Sequence, residues 1–208
     1  MAKQYIFGKD GNMAKRKKVI NVQPLRTLEE IEEMKLAIKR GNKGTPKRPE
    51  LAERDVLIFL VGINTGLRVG DIVRLKVGDV KGKDYFLVKE GKSDKPREVN
   101  ISMIRKEIDK YTEEKRVDEY LFKSQKGGSH ITTTQAYRIL SDAGDFLGRD
   151  DIGTHTMRKT FGYHHYKQFK DIAILQEIFN HSAPSITKRY IGIRQDEIND
   201  TLNNFRLG

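Results

Sequence analysis

The 208-residue sequence contains no cysteine and no tryptophan. Without cysteine the chain can form no disulfide, no zinc ribbon and no thiol nucleophile, and this composition is typical of a reducing compartment. No apolar run approaches the roughly 18 residues of a membrane span, and the N-terminus lacks the apolar segment of a secretory signal. We therefore expect a soluble, cytoplasmic protein.

Acidic residues are also in short supply. The chain has 29 Asp and Glu against 40 Lys and Arg, which gives a formal charge of +11. This excess favours a polyanionic partner, most often nucleic acid. Hydrophobic residues make up 37% of the sequence, which is enough to bury one sizeable core and argues against disorder throughout the chain.

The first 25 residues are predicted to form a basic N-terminal arm. The arm contains the cationic run Lys15, Arg16, Lys17 and Lys18. One compact domain is predicted for residues 26–208, because a capping box formed by Thr27 and Glu30 opens the first segment with helical spacing. No internal repeat or low-complexity block interrupts this domain.

The spacing of apolar residues predicts an α+β fold that is mostly α-helical, with a small antiparallel hairpin. Residues 56–61 are continuously apolar and indicate a buried helix that ends near Gly66. Apolar and polar residues alternate at both ends of the segment 84–102, on either side of a cationic stretch, which predicts the hairpin. A second capping box, formed by Thr132 and Gln135, opens a later helix.

Neither a nucleotide site nor a metal site is predicted. Residues 91–93 resemble the end of a phosphate-binding loop, but Phe86 stands where that loop needs glycine and Pro96 blocks the following helix. His164 and His165 are adjacent, so on a helix they point about 100° apart and cannot face one metal ion. We expect no cofactor.

A set of polar residues remains, scattered over the chain. Arg68 follows a glycine turn directly after the most apolar segment, so we expect it at the edge of the core. His155 and Arg158 share a helix face that starts at a helix N-terminus, where backbone N–H groups favour phosphate. His181 and Tyr190 lie in a later cationic segment. Each residue alone has an ordinary structural explanation, but their order and spacing together indicate a shared function.

This order resembles the tyrosine recombinase (phage integrase) family. The matching motifs are TGLR at 65–68, HxxR at 155–158 and HSxxSxTxRY at 181–190, with Lys92 on the predicted hairpin. The resemblance covers residues from about 24 to 208. It implies the tyrosine recombinase catalytic-domain fold.

The departures from the family pattern are modest within the motifs. Asn180 stands where the family usually has glycine, and Lys159 stands where it often has histidine. Asp71 keeps the acid that can support the arginine and histidine of the site. Family members generally carry a helical core-binding domain ahead of the catalytic domain, and this domain is absent from the sequence. Either this is a naturally short recombinase, which Met1 favours, or the chain lacks an upstream part.

The resemblance implies an enzyme that cleaves and rejoins DNA strands without a cofactor. Tyr190 would be the nucleophile and would form a 3′-phosphotyrosyl bond. Arg68 and Arg158 would hold the non-bridging oxygens of the phosphate, because the planar guanidinium makes two parallel contacts that lysine cannot reproduce.

The same resemblance assigns the proton-transfer groups. Lys92 would protonate the 5′-oxygen leaving group, with Lys95 as the second candidate. His155 would assist proton transfer, and His181 would hydrogen-bond the scissile phosphate. The hairpin suits the acid because its tip, with few apolar anchors, can move when DNA binds.

The predicted partners are double-stranded DNA and further copies of this chain, in a dimer or tetramer on DNA. No membrane and no nucleotide cofactor are expected. The predicted DNA-binding residues outside the site are Lys15, Arg16, Lys17, Lys18 and Lys95. Near the C-terminus, Ile198, Leu202 and Phe205 form one apolar stripe on a short helix. This stripe must be buried either against its own domain or, as in the resembling family, against a neighbouring protomer.

Two other functions fit the same residues. Type IB topoisomerases share the chemistry and, by resemblance, the catalytic fold, but they relax supercoils as monomers. A non-catalytic DNA-binding regulator would keep the fold without strand exchange. The missing core-binding domain favours the regulator, whereas the complete set of six residues favours an enzyme.

Overall fold

The computed structural model describes residues 5–7, 13–15, 22–41, 47–88, 96–203 and 205–206. Five residues predicted from the sequence to bind DNA or to act as the acid lie outside this described part: Arg16, Lys17, Lys18, Lys92 and Lys95. At Lys15 only the backbone is described.

The N-terminal half combines short strands with the first helices. The elements in order are β1 (Tyr5–Phe7), β2 (Met13–Lys15), α1 (Leu28–Arg40), α2 (Pro49–Thr65), α3 (Val69–Ile72), α4 (Val77–Val80), β3 (Tyr85–Val88) and β4 (Arg97–Asn100). Strands β1 and β2 pair antiparallel with each other, and so do β3 and β4. The sequence predicted the second of these hairpins but not the first.

The C-terminal half is mainly helical, apart from residues 113–132, which form turns and isolated β-bridges between the fifth and sixth helices. A 3-10 turn (Ser102–Ile104) leads into α5 (Arg105–Thr112), α6 (Thr133–Phe146), α7 (Thr154–Phe169), α8 (Ile172–Phe179), α9 (Pro184–Ile191) and α10 (Ile193–Asn203). The prediction of a mostly α-helical α+β fold is therefore confirmed. Within the described ranges, no helix is both long enough and apolar enough to cross a membrane.

Both predicted capping boxes are present. The Oγ1 atom of Thr27 accepts a hydrogen bond from the backbone of Glu30 at 3.1 Å, at the start of α1. Thr132 and Gln135 exchange the equivalent bonds at 3.1 and 2.8 Å at the start of α6. Each cap satisfies backbone N–H groups that would otherwise lack a partner, which is worth about 1 kcal/mol.

The core is built around α2, which packs against α1 and α7. Ile58 and Phe59 are fully buried, which confirms the buried helix predicted over this segment. A Cβ atom at Gly62 would lie 2.5 Å from the Sδ atom of Met157, so only glycine lets α2 and α7 approach so closely. This contact brings the C-terminal end of α2 beside the N-terminal half of α7.

A second apolar cluster joins α7 to α8 and α9. Phe179 and Ile191 are fully buried in it. At Gly162 a Cβ atom would lie 2.6 Å from a methyl group of Ile191 and 2.8 Å from the ring of Phe179. The close approach places the end of α8 and the whole of α9 against the helix that carries His155 and Arg158.

The segment of residues 22–26, here called the strap, lies along α7. Leu25 is fully buried, its N–H donates to the Oγ1 atom of Thr160 at 2.9 Å, and its carbonyl oxygen lies 3.0 Å from Nε2 of His164. The strap is thus fixed through its backbone to the same helix that carries part of the predicted site.

The hairpin of β3 and β4 has one buried and one exposed face. Phe86 and Val99 are paired in the register and both are buried, whereas Tyr85 and Leu87 face outward. The predicted hairpin is therefore present, and Val99 and Ile101 are buried as the alternation in and directly after β4 indicated. In β3 the prediction depended on Tyr85 and Leu87, and here the buried face is the opposite one, that of Phe86.

Candidate active site

The first part of the site is the turn that follows α2. Helix α2 ends at Gly66, whose φ of 63° lies in the left-handed region. A Cβ atom at this position would lie 2.5 Å from the ring of Phe161, so both the backbone conformation and the space require glycine. Two residues later, Arg68 is exposed at the start of α3, which agrees with its predicted place at the edge of the core.

Arg158 is buried and joins three separate segments of the chain. Only 3% of its surface is exposed. Its guanidinium donates to the carbonyl oxygen of Gly66 and, at 2.9 Å, to that of Phe179. It also lies 4.3 Å from the centroid of the Phe179 ring, close enough for a cation–π contact. This one side chain therefore holds the turn after α2 and the end of α8 against α7.

The turn after α8 presents His181. Asn180 ends the helix with a φ of 49°, in the left-handed region. Nδ1 of His181 lies 3.0 Å from the hydroxyl oxygen of Thr187, and its ring centroid lies 5.3 Å from that of Tyr190. At position 180, asparagine in place of the glycine of the family pattern is a conservative change. Asparagine is among the non-glycine residues that most readily adopt the left-handed conformation.

Replacing Asn180 tests this explanation. We expect Asn180→Ala to lower the free energy of unfolding by about 1 kcal/mol, because alanine is strained in the left-handed conformation. Asn180→Gly should leave the free energy of unfolding equal or slightly higher. Urea denaturation of both variants gives the comparison, and an equal loss in both would show that the asparagine side chain itself stabilises the turn.

Tyr190 faces His155 across the gap between α9 and α7. Its hydroxyl oxygen lies 2.9 Å from Nδ1 of His155. Burial raises the pKa of Tyr190 above its usual value, and the charges of Arg158 and Arg68 offset part of this rise. The phenol is therefore protonated at neutral pH and needs an acceptor for its proton before it can act as a nucleophile.

Both histidines of the site favour the neutral form. His155 is exposed as a residue, but the atoms around its ring remove part of the ring from water, and this desolvation lowers its pKa. The neighbouring positive charges of Lys159, Arg158 and Arg68 lower the pKa further. Burial likewise lowers the pKa of His181, with the two arginines adding to the effect. A neutral imidazole has one free acceptor nitrogen, so His155 can accept a proton from Tyr190.

Lys159 is a neighbour of Tyr190. The sequence analysis noted this lysine only as a departure from the family pattern. Its Nζ atom donates to the carbonyl oxygen of Val22 at 2.7 Å and lies 5.3 Å from the centroid of the Tyr190 ring. Burial lowers the pKa of Lys159. Thr187, which contacts His181, was also missed as a functional residue, and the only signal for it was its place within the motif at 181–190.

For the remaining predicted residues, Asp71, Lys92 and Lys95, the described structure does not test the predicted role. Asp71 is buried and forms an ion pair with Arg74 at 3.3 Å, so its support of Arg68 stays a prediction. Lys92 and Lys95 lie between β3 and β4, outside the described residues. Across the described residues, no group of three or more His, Asp or Glu converges in a way that could hold a metal ion.

Comparison with known proteins places these residues in context. A model of the phage integrase family matches residues 27–197. The probable integrase/recombinase YoeC of Bacillus subtilis (strain 168) is 48% identical over 176 residues, which make up 84% of this chain and 92% of the relative. The tyrosine recombinase XerA of Pyrococcus furiosus is 30% identical over 159 residues, or 74% of this chain and 55% of the relative.

Solved structures share the fold at lower sequence identity. The crystal structure of XerA recombinase has a TM-score of 0.66 and 23% identity, and the match covers 92% of this chain and 67% of that one. The XerH site-specific recombinase bound to its difH substrate has a TM-score of 0.64 and 22% identity, covering 92% and 57%. The chain thus spans about half the length of several Xer proteins that it resembles, but most of the Bacillus relative.

Proposed function

Since this chain belongs to the phage integrase family, we propose that it is a site-specific DNA recombinase that cleaves and rejoins strands through a 3′-phosphotyrosyl intermediate. The observation that carries the proposal is the 2.9 Å contact between the Tyr190 hydroxyl and Nδ1 of His155. Arg68 and Arg158 are close enough to both groups for their charges to shift the pKa of each. A tyrosine paired with a neutral acceptor and two guanidinium groups is the arrangement that phosphoryl transfer to tyrosine requires.

In the proposed cleavage step, Tyr190 attacks the phosphorus atom and its phenolic proton passes to His155. The bond between phosphorus and the 5′-oxygen breaks, and the leaving oxygen takes a proton from a general acid, for which Lys92 is the candidate. The new ester conserves the energy of the broken phosphodiester. A 5′-hydroxyl from another strand can therefore reseal the DNA without ATP.

The two arginines have different tasks in this proposal. Arg68 is exposed and can reach the non-bridging oxygens of a bound phosphate. Arg158 already binds two backbone carbonyl oxygens. It therefore keeps its three segments together, and others of its five N–H donors can still bind a non-bridging oxygen as the resemblance implies. Positioned charge of this kind contributes about 3 to 4 kcal/mol of transition-state stabilisation per essential donor.

A nicked suicide substrate tests the proposal. Cleavage near the nick releases a short oligonucleotide, so the 5′-hydroxyl cannot return and the covalent adduct accumulates. We expect a denaturation-resistant protein–DNA adduct that peptide mapping places on Tyr190. DNA binding without any adduct would instead support the non-catalytic regulator. Relaxation of supercoiled plasmid by the monomer, without strand exchange between two sites, would support the type IB topoisomerase function.

The basic arm is proposed to bind DNA phosphates without sequence preference. Bound to cellular DNA in this way, the protein would be associated with the nucleoid. Alanine at Lys15, Arg16, Lys17 and Lys18 should flatten the slope of log affinity against log salt by up to about four, because each lost phosphate contact removes about one released counterion. Fluorescence anisotropy at several salt concentrations measures the slope. An unchanged slope would show that the arm has another task.

The C-terminal helix α10 is proposed to bind a neighbouring protomer on DNA. Of the predicted stripe, Ile198 and Leu202 lie on α10, whereas Phe205 lies beyond the end of this helix. The exposed fractions are 41% at Ile198, 63% at Leu202 and 66% at Phe205. This exposure supports a contact with a neighbouring protomer over docking on its own domain. Glu197 nevertheless fixes the start of the helix, since it accepts a hydrogen bond from Tyr166 at 2.6 Å.

Serine at Ile198, Leu202 and Phe205 tests the stripe. We expect the triple variant to keep its free energy of unfolding and its affinity for a single DNA site, because the three side chains are exposed, but to lose assembly on paired sites. Gel-shift assays with paired sites measure assembly, and Asn203→Ser on the same helix is the matched control. Deletion of residues 195–208 should abolish assembly too, but it also removes Glu197. Normal assembly of the triple variant would exclude the stripe as the contact.

A further inference from the structure

Lys159 connects the nucleophile to the strap of residues 22–26. Its Nζ atom donates to the carbonyl oxygen of Val22 at 2.7 Å and lies 5.3 Å from the centroid of the Tyr190 ring. Lys159 and His155 are four residues apart on α7 and so lie on one face of that helix. The proton acceptor and the lysine therefore approach Tyr190 from the same side.

The strap is a rigid anchor for this lysine. Besides the bonds of Leu25 to α7, the N–H of Gln23 donates to the carbonyl oxygen of Asp151 at 3.0 Å. The carbonyl of Val22 is thus held next to the N-terminal end of α7, and Lys159 is held by that carbonyl. A half-buried lysine with a fixed acceptor has lost most of the rotamer freedom of an exposed one, so the position of its charge is well defined.

We propose that Lys159 is a positioning residue for DNA cleavage: by bridging the Val22 carbonyl and the Tyr190 ring, it fixes the nucleophile against His155 and keeps that imidazole able to accept the phenolic proton. The inference rests on the proposed function. Lys159 touches neither the phosphorus atom nor the leaving oxygen in this scheme; it acts through the tyrosine ring and through the histidine.

The charges around His155 support this role. Lys159 and Arg158 face its ring from α7, Arg68 faces it from the turn after α2, and the Tyr190 hydroxyl faces it from α9. Among the three cations, Lys159 contributes most to lowering the pKa of His155. Removal of this charge should therefore raise the pKa of His155 and leave more of the imidazole protonated near neutral pH, where it could not accept a proton.

Three variants separate positioning from other roles. Lys159→Met removes the charge and the bond to Val22, Lys159→Arg keeps both, and Lys167→Met is the matched control. Lys167 lies on the same helix, is exposed, and has its Nζ atom 5.8 Å from the centroid of the Tyr163 ring, away from the site. A further variant, Lys159→Gln, removes the charge but keeps a donor for Val22, in case the methionine variant does not fold.

Each variant is measured by single-turnover adduct formation on the nicked substrate across pH, by DNA affinity across salt, and by NMR titration of the His155 ring. We expect Lys159→Met to form the adduct about 10- to 100-fold more slowly, with unchanged affinity and salt slope. The acid limb of its pH–rate profile should move to higher pH, together with the His155 titration. Lys159→Gln should show the same shift of both, whereas Lys159→Arg and Lys167→Met should behave as the parent chain.

Two outcomes would overturn the inference. If Lys159→Met or Lys159→Gln leaves both the acid limb and the His155 titration in place, Lys159 does not act through the histidine. If Lys159→Met weakens DNA binding and lowers the salt slope by about one, Lys159 is a phosphate contact instead. A parent chain that forms no adduct would overturn the proposed function, and the NMR titration would still decide the effect of Lys159 on His155.

Discussion

Tyr190→Phe is expected to bind DNA with the affinity of the parent chain and to form no covalent adduct with it. The substitution removes only the hydroxyl oxygen that lies 2.9 Å from His155. The aromatic ring keeps its edge-to-face contacts with Phe179 and His181, at centroid distances of 5.6 and 5.3 Å. The arginines and the fold around them should therefore be unchanged.

The stability of this variant should fall moderately. The hydroxyl contacts both His155 and Arg158, and loss of these hydrogen bonds at a half-buried position costs about 1 to 2 kcal/mol in the free energy of unfolding. Anisotropy measures the affinity, and denaturing gel electrophoresis of the nicked-substrate reaction measures the adduct. An adduct formed by the phenylalanine variant would mean that another side chain is the nucleophile, and peptide mapping of that adduct would identify it.

Arg68→Lys and Arg158→Lys are expected to fail in different ways. Arg68→Lys should slow adduct formation by about 10²- to 10³-fold, because a lysine ammonium cannot make two parallel contacts with phosphate. Since Arg68 is exposed, this variant should unfold like the parent chain. Near-normal cleavage by Arg68→Lys would remove Arg68 from the site.

Arg158→Lys should lose cleavage and stability together. The lysine side chain is shorter and ends in a single ammonium group, so it cannot reach both carbonyl oxygens. Either the carbonyl of Gly66 or that of Phe179 would then be left buried without a charged donor. We expect the free energy of unfolding to fall by about 2 to 3 kcal/mol. Urea denaturation separates this loss from a purely catalytic one, and a variant with parental stability would show that the two carbonyl bonds contribute little to the fold.

Local sequence patterns were sufficient to predict much of the fold. The capping boxes at Thr27 and Thr132, and the presence of the hairpin, depend on residues close in the chain and are visible without tertiary structure. The glycine turn before Arg68 was visible for the same reason. The buried face of β3 was not, because residues 85–87 are all apolar or aromatic and either face could have packed on the core. The pairing of β1 with β2 was missed, because three-residue strands within a cationic stretch carry little alternation.

The internal geometry of the site could not be predicted in the same way. Arg158 reaches a carbonyl oxygen 92 residues earlier in the chain, and no local pattern encodes the partner of a buried guanidinium. Lys159 was noted only as a substitution, since its contact with Val22 depends on where the strap lies across α7. The family motifs identified the candidate residues, but long-range packing decides which of them are exposed, as Arg68 is, and which are buried between segments, as Arg158 is.

The course of the strap has a practical consequence for joining a sequence-reading module to this chain, provided that Tyr190 cleaves DNA as proposed. Val22 lies within one lysine side chain of Tyr190, and the backbone that follows it is bound to α7. A sequence-reading module joined ahead of residue 22 would therefore begin beside the cleavage point. An extended linker lengthens by about 3.3 to 3.6 Å per residue, close to the 3.4 Å per nucleotide of each DNA strand. The number of linker residues would then set the greatest distance, at about one base pair per extended residue, between the sequence that is read and the bond that is cut.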